Sequence, residues 1–355
     1  LVRRRILDAV GERLAFCHDW IRQVAYERTL EAKRRVLHAA IGEALEELHA
    51  GRLDEVADQL GHHYQRAGDT RKAILYLLQF ARLAMGRYAL DDASRAFGQA
   101  LAVVDRLPPP ERDRQRLGVA LRQAFLLSVL GRQREIMELL ESQASHVERV
   151  EDAQLLSEYF FRLGLTRYFL GAHGESQRAG ERALREGERS GDPVCTGKAL
   201  HVLSLNAFDA GRPREGAAAA ARAIPLLDRP DTQEWLSLAY HDLSLNSVMA
   251  GALDAALDAA RHAEVIGRAH QWPRVQALAG CTIAGVHTLK GDATLAVEAA
   301  RRSLDLSRDP MAASLVSGAL GHACLESGDA RSAVSSSSAL SPARREHPAE
   351  RPSRS

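Results

Sequence analysis

Three stretches of the sequence carry residue types that can do chemistry, and in each the spacing argues against it. Gly191-Asp-Pro-Val-Cys-Thr-Gly197-Lys198-Ala199 suggests a loop that cradles phosphate on backbone N–H groups. Five residues rather than four separate its glycines, however, and Ala199 stands where a Ser or Thr hydroxyl would hold magnesium. A turn between two helices is the better reading. His62-His63 offers two imidazoles to a metal ion, but neighbours on a helix point about 100° apart and no third ligand falls nearby. Surface or groove polarity accounts for them. Cys17-His18 puts a thiol next to a base, yet adjacency in sequence is not the hydrogen-bonded geometry that activates a nucleophile. No catalytic residue, cofactor or metal is therefore assigned, and the chain is read as non-enzymatic.

The elements around these residues are expected to be helices. The 355 residues are 46% hydrophobic and only 5% aromatic, with Ala and Leu dominant, which suits close helix packing better than a β-sheet. Lys and Arg number 47 against 46 Asp and Glu, so no global field draws the chain to nucleic acid or an anionic membrane. The densest basic runs, Arg3-Arg4-Arg5 and Lys33-Arg34-Arg35, are offset by Asp8, Glu12, Glu27 and Glu31 and read as solvated helix faces. Four isolated cysteines form neither a disulfide framework nor a zinc site. With no run of 18 apolar residues and no export signal, a cytoplasmic location is expected. Leu at position 1 is consistent with a piece of a longer chain or a misread start.

A period of 40 residues organises the chain. Gly131, Gly171, Gly211, Gly251 and Gly291 mark it, and Gly328 follows after 37. Eight positions before each glycine stand Leu163, Leu203, Leu243, Ile283 and Leu320, with Gln123 the exception, and the next position is small in all copies. Five positions after come Ser176, Gly216, Ala256, Ala296 and Ala333, against Ile136. Small residues let two helices approach, and a glycine with positive φ ends a helix, so the unit is helix, tight turn, helix. Pro193, Pro213 and Pro273 fall at helix starts, where a missing N–H costs little, while Pro225 should shorten or kink its helix. Pro108-Pro109-Pro110 interrupts the pattern and predicts a joint over 108–112. The Ser- and Arg-rich stretch 335–355 cannot bury a core and is expected to be a disordered tail.

One copy is cleaner than the rest. Leu60, Gly61, Tyr64, Gly68 and Ala73 have the spacing of the tetratricopeptide repeat, which the chain resembles. The first-helix aromatic survives later as Phe160 and Tyr240, and the helix near 71–86 is read as shared by two neighbouring pairs. That resemblance implies a right-handed superhelical solenoid of antiparallel helix pairs, with repeats over 53–107 and 113–334. It also implies that the first helix of each pair lines a concave groove. The groove positions carry over to Phe125 and Val129, to Phe161, Leu165, Tyr168 and Phe169, to His201, Leu205 and Phe208, and to His241, Leu245 and Met249. Asn206 and Asn246 lie one residue off the places where arrays of this kind clamp a carboxylate, and the accompanying cations are absent. An apolar groove favours an amphipathic helix or apolar protein segment, with packing between repeats as the competing reading of the same side chains.

Residues 14–48 predict two amphipathic helices, with apolar positions at Ile21, Val24, Ala25 and Leu30, then Val36, Leu37, Ile41, Leu45 and Leu48. Together with Phe16, His18, Tyr26, Arg35 and His38, they resemble the segment that follows the ATPase core in bacterial signalling NTPases of the AAA/STAND type. The resemblance implies a sensor or scaffold region, helical over 1–52, whose partner is a protein, a peptide or a neighbouring domain of a parent chain. Two alternatives stay open. One is the regulatory region of a nucleotide cyclase or protein kinase whose catalytic domain lies elsewhere; the other is the ligand-sensing part of a transcriptional regulator.

Overall fold

The glycines of the 40-residue column all adopt left-handed backbone, with φ from +67° to +81° at positions 131, 171, 211, 251, 291 and 328. Each closes a helix in the conformation that a Cβ disfavours, so the sequence period becomes a structural period of helix hairpins. The computed structural model describes residues 6–10, 13–306 and 310–338, and its contacts divide the chain into two units, Leu1–Glu151 and Asp152–Ser355. The basic run at 3–5 lies outside the described residues.

The first unit opens with an antiparallel pair, β1 (Leu7–Val10) and β2 (Arg13–Phe16), with Leu7 opposite Phe16 and Val10 opposite Arg13. This corrects the reading of 1–52 as wholly helical: two runs flanking Gly11-Glu12 pair before the first helix starts. The helices that follow are α1 (Asp19–Arg28), α2 (Glu31–Leu48), α3 (Ala57–Ala67), α4 (Thr70–Gly86), α5 (Leu90–Val104), α6 (Glu111–Val129), α7 (Gln133–Glu141) and α8 (Ala144–Val147). From α2 to α7 each packs on the next, so α4 is shared between α3 and α5 as expected. Leu60, Tyr64 and Ala73 are buried, each large apolar side chain worth roughly 1.5–3 kcal/mol on burial.

Two expectations in this unit are revised. Of the apolar stripe expected on α2 only Leu45 packs against the core, since Val36 is 68% and Leu48 75% exposed and Leu37 and Ile41 are exposed too. Instead, α2 buries His38 and Gly42. Gly42 is required there, because a Cβ would lie 2.8 Å from the Tyr64 ring. Beside it, Glu46 accepts hydrogen bonds from Lys72 Nζ (2.8 Å) and Tyr76 Oη (2.5 Å), and the Tyr64 and Tyr76 rings stack 5.7 Å apart. The triple proline, moreover, does not part the units. Pro110 is the N-cap of α6, and α5 packs on α6 across the loop with Leu107 buried between. The division falls at 151/152.

The second unit is a solenoid of hairpins: α9 (Ala153–Phe169) with α10 (His173–Ser190), α11 (Pro193–Asp209) with α12 (Pro213–Leu227), α13 (Gln233–Met249) with α14 (Leu253–Ala269), α15 (Pro273–Lys290) with α16 (Ala293–Leu306), and α17 (Pro310–Glu326) with α18 (Ala330–Ser338). Asp152 and Asp192 cap α9 and α11 by accepting from the backbone N–H of Leu155 and Val194. The inter-helix turn predicted for the Gly-Lys stretch is confined to Gly191 and Asp192, because Pro193 already opens α11 and Gly197, Lys198 and Ala199 lie inside it. Pro225 lies inside α12, which ends two residues later and is shorter than α10 and α14. First helices pack on the first helices of the neighbouring pairs, whereas second helices stand further apart, which places the first helices on the inside of the curve. The tail expected from Ser335 begins inside α18, which continues to Ser338, and 339–355 lies outside the described residues.

Candidate functional site

Side chains from α9, α11 and α13 share the inner face of the second unit, and they sort into two zones. Toward the helix N-termini sits a charged and aromatic cluster. Glu158 Oε1 accepts from Arg162 Nε and Oε2 from Lys198 Nζ, both at 3.0 Å. Lys198 Nζ lies 5.6 Å from the Phe161 ring centre and 5.0 Å from that of Trp235, whose edge meets Phe161 at 5.3 Å. Trp235 also approaches His201 (6.0 Å), and His201 Nδ1 is 2.6 Å from Asp242 Oδ2. Asp242 is 1% exposed, so that contact gives a carboxylate oxygen a partner where little water can reach it. Burial is the main reason that His241, on the same helix, is held below the usual imidazole range.

Toward the C-termini of the same helices the face turns apolar. Leu165, Leu205 and Leu245, at successive 40-residue steps, are half-buried, as is Phe208. Phe169 is 49% and Met249 55% exposed, so a partner could cover both. Tyr168 is partly buried; its ring meets Phe169 and His173 edge-on at 5.5 Å. Burial, then the hydrogen bond to Asp209, pushes its hydroxyl well above the usual phenol range.

The sequence-derived groove residues therefore separate. Phe161 is fully buried, because Trp235 reaches across from α13 to cover it, and it lines no open surface. His201 is buried as well and meets Asp242 rather than solvent. Leu165, Tyr168, Phe169, Leu205, Phe208, His241, Leu245 and Met249 keep some exposure on the inner face. Phe125 and Val129, on α6 of the first unit, are 47% and 55% exposed and are described apart from it. Asn206 and Asn246 are not clamp residues: each is buried, and its Nδ2 donates to a serine of the preceding repeat, Ser176 Oγ at 2.8 Å and Ser204 Oγ at 3.1 Å. Cys281 follows His201 and His241 in the column, and burial pushes its thiol up to about 11.

Glu158, Arg162, Lys198, Trp235 and Asp242 were missed by sequence reasoning. A signal existed for two of them, since Glu158 and Lys198 occupy one column 40 residues apart with opposite charge. In the first unit, His63 Nδ1 lies 2.9 Å from His38 Nδ1, and His38 Nε2 is 3.0 Å from Tyr26 Oη. His62-His63 is thus part of a packed imidazole cluster between α2 and α3.

No family model matches the chain, and no curated protein does. Solved structures do resemble it. A Rap protein complexed with Competence and Sporulation Factor shares 12% identity over 87% of this chain and 96% of its own, with a TM-score of 0.57. The apo form of RapI shares 10% identity over 75% of this chain and 96% of its own, at 0.61. A signal transduction ATPase with numerous domains and a tetratricopeptide repeat sensor, from Pyrococcus horikoshii, shares 14% identity over 95% of this chain, at 0.55. This chain spans 56% of that protein. At such identities the likeness shows the fold alone, a helical repeat of tetratricopeptide type.

Proposed function

We propose that the chain is a non-catalytic interaction module that receives an amphipathic helix or apolar protein segment on the inner face of its second unit. The observation that carries this is the continuation of a half-buried leucine column, 165, 205 and 245, into the exposed Phe169 and Met249. Apolar side chains left open on a concave face stabilise a complex by their burial. The charged cluster at the other end of the face supplies polarity that fixes which way a segment lies. The complex of the Rap neighbour with its factor supports a binding role for this fold.

The finer reading is a sensor or scaffold of a bacterial signalling ATPase or regulator, working in the cytoplasm, supported by the alignment of 95% of this chain with the Pyrococcus ATPase. Among the described residues no helix is long and apolar enough to cross a membrane. The binding reading is tested by replacing Phe169 and Phe208 with Ser. Affinity purification with mass spectrometry should lose the partners of the unaltered chain while circular dichroism keeps its helicity; the same partners recovered by the variant would refute it. For the parent, an upstream open frame encoding GxxxxGK[ST] is expected, and an immediate in-frame stop codon refutes that part.

A further inference from the structure

One column of the second unit's first helices reads Phe160, Leu200, Tyr240 and Gly280 at 40-residue steps. In the first three copies a large side chain fills the space beside the second helix of its own pair. The Arg182 guanidinium lies 4.1 Å above the Phe160 ring, and His262 stacks on Tyr240 at 4.9 Å. Arg302 occupies the matching position in α16, but Gly280 offers it no ring. What remains is a cavity of about 400 Å³, within the size range of small-molecule sites.

The hollow has a defined chemistry. Its lining is one stripe from each of three helices: Arg261 from α14, Gly280 and Ile283 from α15, and Arg302, Ser303 and Leu306 from α16. Arg268, also from α14, is neutralised by Glu264 at 3.0 Å. Arg261 and Arg302 have no hydrogen-bond or ion-pair partner among the described residues. Their guanidiniums leave the cleft net positive even with Glu264 in its wall, and its surface is mostly polar, with Ile283 and Leu306 as apolar side chains a ring can rest on. Ser303 compensates for the glycine at close range: its column is otherwise Ala183, Ala223 and Ala263, and a Cβ on Gly280 would overlap Ser303 Oγ.

We propose that this hollow binds a small planar organic anion, its ring taking the place of the side chain missing at 280 and its oxyanion held by Arg261 and Arg302. The ring would lie under Arg302 as Phe160 lies under Arg182, a cation–π arrangement, and the planar guanidiniums suit a carboxylate or a phosphate group equally. The site is separate from the inner face and does not rest on the function proposed for it.

Isothermal titration of the full chain with salicylate and with adenosine monophosphate separates an aromatic carboxylate from a ring-bearing phosphate, and inorganic phosphate is the ringless control. One of the two ring anions should bind at least about tenfold more tightly than phosphate. The double substitution Gly280→Tyr with Ser303→Ala copies the Tyr240 and Ala263 pair, fills the hollow and should abolish binding while helicity is kept. Arg261→Gln with Arg302→Gln changes exposed side chains only and should weaken binding by at least tenfold, about one charge-assisted contact. Binding of neither ring anion below about 10 mM overturns the proposal, as does phosphate binding equally well. Undiminished binding by the arginine variant overturns it even if the filled variant does not fold.

Discussion

Replacing Gly216 with alanine should destabilise the second unit, although helix propensity alone predicts the reverse. Gly216 lies in α12, where alanine is favoured over glycine by about 1 kcal/mol. A Cβ built there falls on the Asn246 amide, 2.5 Å from its Cγ and 2.7 Å from Nδ2. Asn246 is 1% exposed and cannot swing into solvent without leaving the repeat interface. Its Nδ2 donates to Ser204 Oγ at 3.1 Å and to the Asp242 carbonyl at 3.0 Å. Losing these two bonds costs about 2 kcal/mol, and a displaced buried amide adds about 1–3 kcal/mol. Against the propensity gain, the net is a destabilisation of about 2–4 kcal/mol. Urea unfolding followed by circular dichroism measures it, with Gly98→Ala as control, since nothing lies within 4 Å of a Cβ at that helical position. The control should be neutral or stabilising by up to about 1 kcal/mol. A Gly216→Ala variant as stable as the unaltered chain would refute the role assigned to Asn246, as would equal shifts in variant and control.

Burial first, then neighbouring imidazoles or arginines, holds His38, His62 and His63 below the ordinary imidazole value of 6.5. The folded chain then binds fewer protons than the unfolded chain below that value, so stability present above pH 6.5 should fall as the pH falls. Melting temperatures measured between about pH 7.5 and 5.5 should drop, and less steeply in His38→Gln with His63→Gln. Asp113 is 1% exposed and accepts from His146 Nδ1 (2.6 Å) and Arg112 Nε (3.1 Å). Asp113→Ala strands both donors and should lower the unfolding free energy by about 3 kcal/mol, against no more than about 0.5 kcal/mol for exposed Asp91→Ala. Asp242→Asn keeps an acceptor for His201 but removes the charge, so a loss of about 1–2 kcal/mol is expected. Trp235, beside His201, reports the change as a fluorescence shift, and an unaltered spectrum would count against the contact.

The repeat was legible because its determinants are local. A glycine that ends a helix, a proline that starts one and small residues at the crossing act within a single hairpin; the glycines recur from 131 to 291, and prolines open α11, α12 and α15. The site was less legible, because its determinants cross from one repeat to the next. His201 meets Asp242, 41 positions away rather than 40, so aligning columns does not pair them. Phe161 has the spacing of a groove residue, but whether it is open depends on Trp235, two first helices along. The packed face of α2 misled for a different reason. Gly42 admits the Tyr64 ring and Glu46 binds Lys72 and Tyr76, so a polar edge, joined by Leu45 alone of the expected stripe, meets α3 and α4. Hydrophobic periodicity identifies the helix but not the neighbour it turns toward.

The polar contacts between repeats explain where the solenoid is specific and where it leaves room. Hairpins of alanine and leucine could slide past one another by a turn at little cost, and a buried amide removes that freedom. At the junction of the first two hairpins, Asn206 donates to Ser176 Oγ, which donates to the Gly164 carbonyl at 2.8 Å. At the next, Asn246 donates to Ser204 Oγ, which donates to the Gly216 carbonyl at 2.9 Å. Serine and glycine have exchanged helices, yet the chain of bonds is the same, so the interface requires the pair rather than either residue at a fixed place. These two junctions hold α9, α11 and α13 in register, and those helices carry the whole inner-face site. One repeat further, the asparagine column becomes Val286, and that repeat is where Gly280 and Ser303 stand in for the bulky side chain and alanine of earlier copies. A site that depends on three helices keeping their register lies where the amides pin them, and the hollow opens where that pin is absent.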